Sequence, residues 1–220
     1  MKAAAFFDLD RTLISGASGY HWSRAATKAG LMKRRTLAEH AYRNIRFRLS
    51  GSTDAATDRV MAQLSELIRG KPVADFERLG PEVVAAVVKR VYPQVLELAR
   101  EHQREGRAVY IVSAAGEDTV ALIAAELGLD GALGTRMARD GDFYTGEIEV
   151  FTYREGKARA LREFAEENGI DLTASHAYSD SESDLPFLRA VGHPVAVNPD
   201  KALAAIALAE GWPILRFKRR

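Results

Sequence analysis

The chain has 220 residues, 47% of them hydrophobic, and a formal net charge of +1. That length buries a substantial core, as one domain or as a core with a smaller insert, and the balanced charge gives no reason to expect a nucleic-acid partner. There are no cysteines, which excludes disulfides, thiolate zinc sites and cysteine nucleophiles and leaves any chemistry to oxygen and nitrogen groups.

The N-terminal stretch reaches its first carboxylate at Asp8, too early for a signal peptide or a membrane span, so a cytoplasmic location is the expectation. Ala3 to Leu9 is an apolar run ending in acidic residues and reads as a buried strand with a polar C-terminal end. From about Ser15 to about Arg90 the pattern is helical throughout, with loop signals near Ser50-Gly51-Ser52, Gly70-Lys71-Pro72 and Gly80-Pro81. It interrupts the chain between the first two strands and is expected to be an inserted helical cap, residues 15–90, on a core of residues 1–14 and 91–220.

The core then alternates. A helix over Val95 to Glu105 stops at Gly106, a strand over Ala108 to Val112 ends at Ser113, and a helix over Asp118 to Leu127 stops at Gly128. Between Arg136 and Phe151 the pair Asp140-Gly141 predicts a hairpin. Helix Lys157 to Asn168, strand His176 to Ser179, helix Ser183 to Ala190, strand Pro194 to Val197, helix Asp200 to Ala209 and strand Ile214 to Phe217 follow. This succession predicts an α/β fold with a mostly parallel, Rossmann-like sheet and a ligand beyond the carboxyl ends of its strands.

At the end of the first strand, Asp8 and Asp10 are two residues apart and would emerge on one side of an extended chain. Paired carboxylates repel unless a cation or a proton lies between them, and Mg²⁺ suits one or two carboxylates plus phosphate oxygens. A solvated turn with an N-capping aspartate is the alternative. Other element ends tip the balance. Ser113 is followed by Ala114-Ala115-Gly116, small enough to let a hydroxyl and backbone N–H groups approach a phosphoryl oxygen. Lys157 opens a helix, where the macrodipole favours anions, unless it faces an anion of its own. Strand His176 to Ser179 runs into Asp180-Ser181-Glu182-Ser183-Asp184, a second carboxylate pair.

In this order, D-L-D-R-T-L, the strand ending in Ser113, Lys157 and S-D-S-E-S-D-L-P resemble the four motifs of the haloacid dehalogenase (HAD) superfamily. More narrowly they are similar to its phosphoserine-phosphatase-like branch with a helical cap. The resemblance implies a phosphatase with Asp8 as the nucleophile and Asp10 as general acid and base. It also implies Mg²⁺ held by Asp8, the Asp10 backbone carbonyl and Asp180, with Asp184 orienting the metal's waters or Lys157. Ser113 and the Ala114 N–H would hold phosphoryl oxygens, and Lys157 would offset the charge shared by phosphate and Asp8.

Ile14 to Tyr20 holds no carboxylate where phosphoserine phosphatases carry a glutamate for the substrate amine. Ser179 and Ser183 stand where glycine and asparagine are common. Arg11 replaces a glycine and is expected to point away from the metal, toward the cap. A small phosphorylated metabolite is therefore the expected substrate. Phosphoserine or histidinol phosphate, transfer to an acceptor other than water, and a non-catalytic phospholigand module are the alternatives. Between His21 and Arg48 of the cap, Arg24, Lys28, Lys33, Arg34, Arg35, Arg43, Arg46 and Arg48 face only Glu39, interleaved with Tyr20, Trp22, Tyr42 and Phe47. A solvated basic face with its aromatics packed inside is expected, and a surface for an anionic membrane or nucleic acid is the alternative.

Overall fold

Strand β1, Ala4–Phe7, is apolar and buried at all four positions, as a strand covered on both faces must be. In the computed structural model, which describes residues 2–33, 62 and 65–218, it is the central strand of a seven-stranded sheet. The chain adds β2 (Ala108–Gly116), β3 (Gly131–Asp140) and β4 (Phe143–Val150) on one side. It adds β5 (His176–Ser179), β6 (His193–Val197) and β7 (Ile214–Leu215) on the other. All neighbours are parallel except β3 and β4. The order reverses at β1, the kind of switch point where open α/β sheets bind ligands. Phe7 pairs with Ile111 and Tyr178, and Ser179 with Ala196. Asp8, Asp180 and Asn198, each just past a strand, therefore stand along one edge near Ser113.

Among the described residues, helices with both ends placed are α1 (Ser18–Lys28), α2 (Val73–Glu77), α3 (Gly80–Val88), α4 (Pro93–Arg104), α5 (Glu117–Glu126), α6 (Glu155–Glu167), α7 (Leu185–Leu188) and α8 (Lys201–Glu210). Alternation along β1 sends Phe6 and Phe7 to opposite faces. Phe6 joins Leu161, Phe187 and Leu203 from α6, α7 and α8; Phe7 joins Val95, Val120 and Ile123 from α4 and α5. Each fully buried ring contributes about 1.5–3 kcal/mol of transfer free energy, so β1 is the seam of two cores.

Several boundaries differ from expectation for identifiable reasons. Gly80-Pro81 is not a loop but the start of α3, where proline's missing N–H costs nothing. The helix expected from Ser183 is a 3₁₀ turn, Glu182–Asp184, followed by the single turn of α7. The last strand stops at Leu215. Strand β2 continues past Ser113 to Gly116, with a register shift between Val112 and Gly116. The hairpin turn is Gly141-Asp142, and Gly141 has φ 55°, the positive value that the first central residue of a type II′ turn requires.

Between β1 and α4 the chain leaves and returns through a clasp: Ser15 N–H donates to the Arg90 carbonyl and Tyr92 N–H to that of Leu13. Ala25, Ala26, Ile68, Val73, Phe76 and Val83 from this segment are buried in the cluster that holds Phe7 and Ile123. Trp22 stacks on Phe76 with centroids 6.1 Å apart, and Lys28 pairs with Glu82. Arg34, Arg35, Glu39, Tyr42, Arg43, Arg46, Phe47 and Arg48 of the expected basic face lie outside the described residues. No described helix is long and apolar enough to cross a membrane.

Candidate active site

The ladder of β1 ends where Asp8 N–H donates to the Tyr178 carbonyl, 2.9 Å away. The chain then folds into a wide turn: Leu13 N–H donates to the carbonyls of Asp8 and Leu9, and Ile14 N–H to that of Leu9. Extended alternation therefore stops before residue 10, and the two aspartates take different partners. The buried Asp8 carboxylate accepts from Lys157 Nζ at 2.7 Å. Asp10 turns toward α1, where its Oδ1 accepts from Ser18 N–H at 2.8 Å.

Lys157 reaches this point from the start of α6. The approach is tight enough that a Cβ on Gly156 would lie 2.0 Å from the Phe151 carbonyl oxygen, so only glycine fits there. The ammonium, 2% exposed, also donates to Asp184 Oδ2 at 2.6 Å and lies 4.6 Å from the Phe187 ring centroid. Asp184 accepts from Ser179 Oγ at 2.7 Å as well. Burial alone would push the lysine toward neutrality, but Asp184 and Asp8 outweigh it and hold its pKa above the ordinary value. The lysine that sat poorly with the helix dipole thus faces two anions.

The carboxylates feel the opposite pressure. Burial pushes Asp8 up to about 7, with Asp184 and Asp10 adding to it and Lys157 opposing. Burial likewise raises Asp10, against the hydrogen bonds from Ser18. Asp180 is held well above the usual carboxylate range by burial and by Asp8, Asp184 and Asp200, with Arg11 opposing. Its Oδ2 lies 2.9 Å from Arg11 Nε. Arg11 therefore points at the expected metal side rather than away from it, because its left-handed backbone, φ 64°, turns the side chain toward β5.

Ser113 is buried on β2 and its hydroxyl accepts from Ala115 N–H at 3.2 Å. The Ala114 carbonyl accepts from Thr135 Oγ1 at 2.9 Å, which fixes the strand extension beyond Ser113. Lys157 thus gathers Asp8 and Asp184, whereas Asp10 and Asp180 are held by Ser18 and Arg11 instead.

Four carboxylates, Asp8, Asp10, Asp180 and Asp184, face two cations, Lys157 and Arg11. That excess and the raised pKa values suit a hard divalent ion with oxygen ligands. Among the described residues no three acidic or imidazole side chains converge on one metal position. The expected set asks for two carboxylates and one main-chain carbonyl.

Sequence reasoning missed three supports. Ser179 steadies Asp184, though a strand-end serine carries no such signal. Thr12 is fully buried in the turn, with Oγ1 3.5 Å from Asp180 Oδ1. Asp200 caps α8 by accepting from Leu203 N–H, also accepts from Glu182 N–H, and donates its own N–H to the Asp180 carbonyl. An aspartate preceding a helix was a visible capping signal; its tie to the Asp180 loop was not.

A family model described as haloacid dehalogenase-like hydrolase matches residues 5–189. The chain is 41% identical over 220 residues to the "Inhibition of morphological differentiation protein" of Streptomyces azureus, covering 99% of this chain and 79% of that one. It is 40% identical to a "Probable phosphatase" of Mycobacterium tuberculosis, covering 99% and 76%. It is 33% identical to the "Histidinol-phosphatase" of Neisseria meningitidis, covering 99% and 100%. Among solved structures, a Bordetella pertussis protein of unknown function matches with TM-score 0.81 and 28% identity over 98% of both chains. A phospho-aspartyl intermediate analogue of phosphoserine phosphatase shares the fold, with TM-score 0.67 and 22% identity over 99% of this chain and 94% of that one.

Proposed function

The chain belongs to the haloacid dehalogenase-like hydrolase family and is a phosphatase, and from that premise we propose that it hydrolyses a small phosphomonoester through an aspartyl-phosphate on Asp8. The observation that carries this reading is the buried Lys157 ammonium between Asp8 and Asp184, at 2.7 and 2.6 Å. It fixes one Asp8 oxygen and supplies positive charge where a phosphoryl group would add negative charge.

In the first half-reaction an Asp8 oxygen attacks phosphorus, the bond from phosphorus to the substrate oxygen breaks, and Asp10 gives its proton to the leaving alcohol. The raised pKa of Asp10 favours the protonated form which that step needs. In the second half-reaction Asp10 takes a proton from water as the water oxygen attacks phosphorus. The bond from phosphorus to Asp8 breaks, and inorganic phosphate leaves. Ser113 and the Ala114 N–H would hold the phosphoryl oxygens. Mg²⁺ would be held by the Asp8 and Asp180 carboxylates and the Asp10 main-chain carbonyl, supplying charge that keeps Asp8 ionised. Asp184, fixed by Ser179, keeps Lys157 in place.

Residues 15–90 act in this proposal as the cap that closes over the leaving group and limits bulk water. The substrate class is a small phosphorylated metabolite. The Neisseria relative named for histidinol phosphate supports that class, and Ile14 to Tyr20 offers no carboxylate for a substrate ammonium. A cytoplasmic setting, where Mg²⁺ and such metabolites meet, belongs to the same proposal.

Phosphate release from an aryl phosphate by Asp8→Asn tests the nucleophile. Release should vanish while the circular dichroism spectrum is kept, and undiminished release would remove Asp8 from that role. Comparing kcat/KM across histidinol phosphate, phosphoserine, phosphocholine and sugar phosphates would then rank substrates.

A further inference from the structure

Arg11 places a cation against a carboxylate that a metal ion would need. The Asp180 side chain is only 5% exposed and its Oδ2 lies 2.9 Å from Arg11 Nε, while its Oδ1 has Thr12 Oγ1 at 3.5 Å. Both oxygens thus face donors from one turn. The Asp180 main chain is tied down as well, since its carbonyl accepts from Asp200 N–H at 2.8 Å.

The left-handed backbone that aims the side chain at Asp180 is not a conformation that an arginine favours. Its φ of 64° is disfavoured for a residue with a side chain, and glycine would avoid that cost. Its pairing with Asp180 offsets the negative potential that Asp8, Asp184 and Asp200 impose on that carboxylate. There is also space for the side chain to leave. Arg11 is 29% exposed and shares with Asp180 a cleft of about 590 Å³, also lined by Ser15, Arg90, Tyr92 and Asn198, in which the guanidinium can move off the carboxylate.

Resting on the reading of Asp180 as a metal-holding carboxylate, we infer that Arg11 is an internal counter-cation that competes with Mg²⁺ for Asp180 and sets the concentration at which the ion enters. In the metal-free protein the pair neutralises a buried charge. When the ion binds, the pair breaks and the guanidinium turns into the cleft. Such a competition is a negative coupling between two partners of one carboxylate, and it is reciprocal.

Calorimetric titration of the full chain with MgCl₂, without substrate, tests this. Arg11→Gln should bind Mg²⁺ about tenfold more tightly, within the usual range of such couplings. Its Tm should fall in the metal-free protein and match the wild type at saturating Mg²⁺. Arg11→Lys, which keeps a cation within reach, should fall between. Unchanged or weaker binding by Arg11→Gln, with the heat abolished by Asp180→Asn, overturns the competition and leaves Asp180 as a ligand. A Tm lowered equally with and without Mg²⁺ also overturns it, because that is the mark of a purely structural arginine. Heat that survives Asp180→Asn removes the metal assignment and the competition with it.

Discussion

Lys157 Nζ lies 2.7 Å from Asp8 Oδ1, a buried contact between residues 149 apart in sequence. It joins the end of β1 to the start of α6, and it lets Asp8 and Asp184 share one cation inside the protein. Replacing Lys157 with alanine leaves two buried carboxylates facing each other. Urea unfolding of the metal-free protein should show a loss of about 3–5 kcal/mol, and kcat/KM should fall by at least about 10². Lys157→Arg should not restore activity, since a planar fork cannot replace a point charge above the Phe187 ring.

Ser179→Ala removes one of the two donors to Asp184 Oδ2 and leaves the other. A stability loss of about 1.5–3 kcal/mol, typical of a hydrogen bond to a charged group, should come with a kcat loss much smaller than that of Lys157→Ala. Unfolding curves and phosphate release on the same preparation would show the split.

Asp10→Asn separates the half-reactions. An aryl phosphate has a good leaving group and needs little acid assistance, whereas attack by water still needs a base. Stopped-flow measurement should show a burst of about one phenolate per active site and then slow turnover, the pattern of an accumulating covalent intermediate.

At the opposite ends of β5 and β6, stability should depend on acid. His102 is buried with Nε2 2.6 Å from Tyr178 Oη, and its Nδ1 accepts from Arg107 Nε at 2.6 Å, so the ring is held neutral. His176 lies 4.7 Å from His102 and 4.6 Å from His193, between centroids. Burial, then the facing histidine and Arg107, lower both His102 and His176 from 6.5 to about 4. Between those values the unfolded chain binds protons that the folded chain refuses. Their contribution is therefore present above pH 6.5 and lost as pH falls toward 4, at up to about 1.4 kcal/mol per pH unit for the buried His102 and less for the partly exposed His176, where solvent screens the shift. His176→Phe should flatten the slope of urea stability against pH in that window.

The parts of the site legible in sequence were those that broke a local rule. An apolar run ending in Asp8 and Asp10 needs a reason for its acids, and a lysine at a helix start needs an anion nearby. The conflict at Lys157 resolved into contacts with Asp8 and Asp184. The direction of Arg11 could not be read, because it follows from a left-handed φ fixed by a turn whose hydrogen bonds run from Asp8 to Gly16. Ser179 and Asp184 are five residues apart, and only the 3₁₀ turn between them brings oxygen to oxygen. Gly80-Pro81 misled for a related reason: the pair favours both a loop and a helix N-terminus, and Leu122 packed close to Gly80 lies on α5, far along the chain.

The covalent role of Asp8 is tested most directly by quenching the wild-type protein in acid during turnover of an aryl phosphate and mapping its peptides by mass. One phosphoryl group should appear on the peptide containing Asp8, and fragmentation should assign it to that residue, since acyl phosphates survive acid long enough to be read. A phosphoryl group on Asp10 or Ser113, or none during active turnover, would contradict the aspartyl-phosphate route through Asp8.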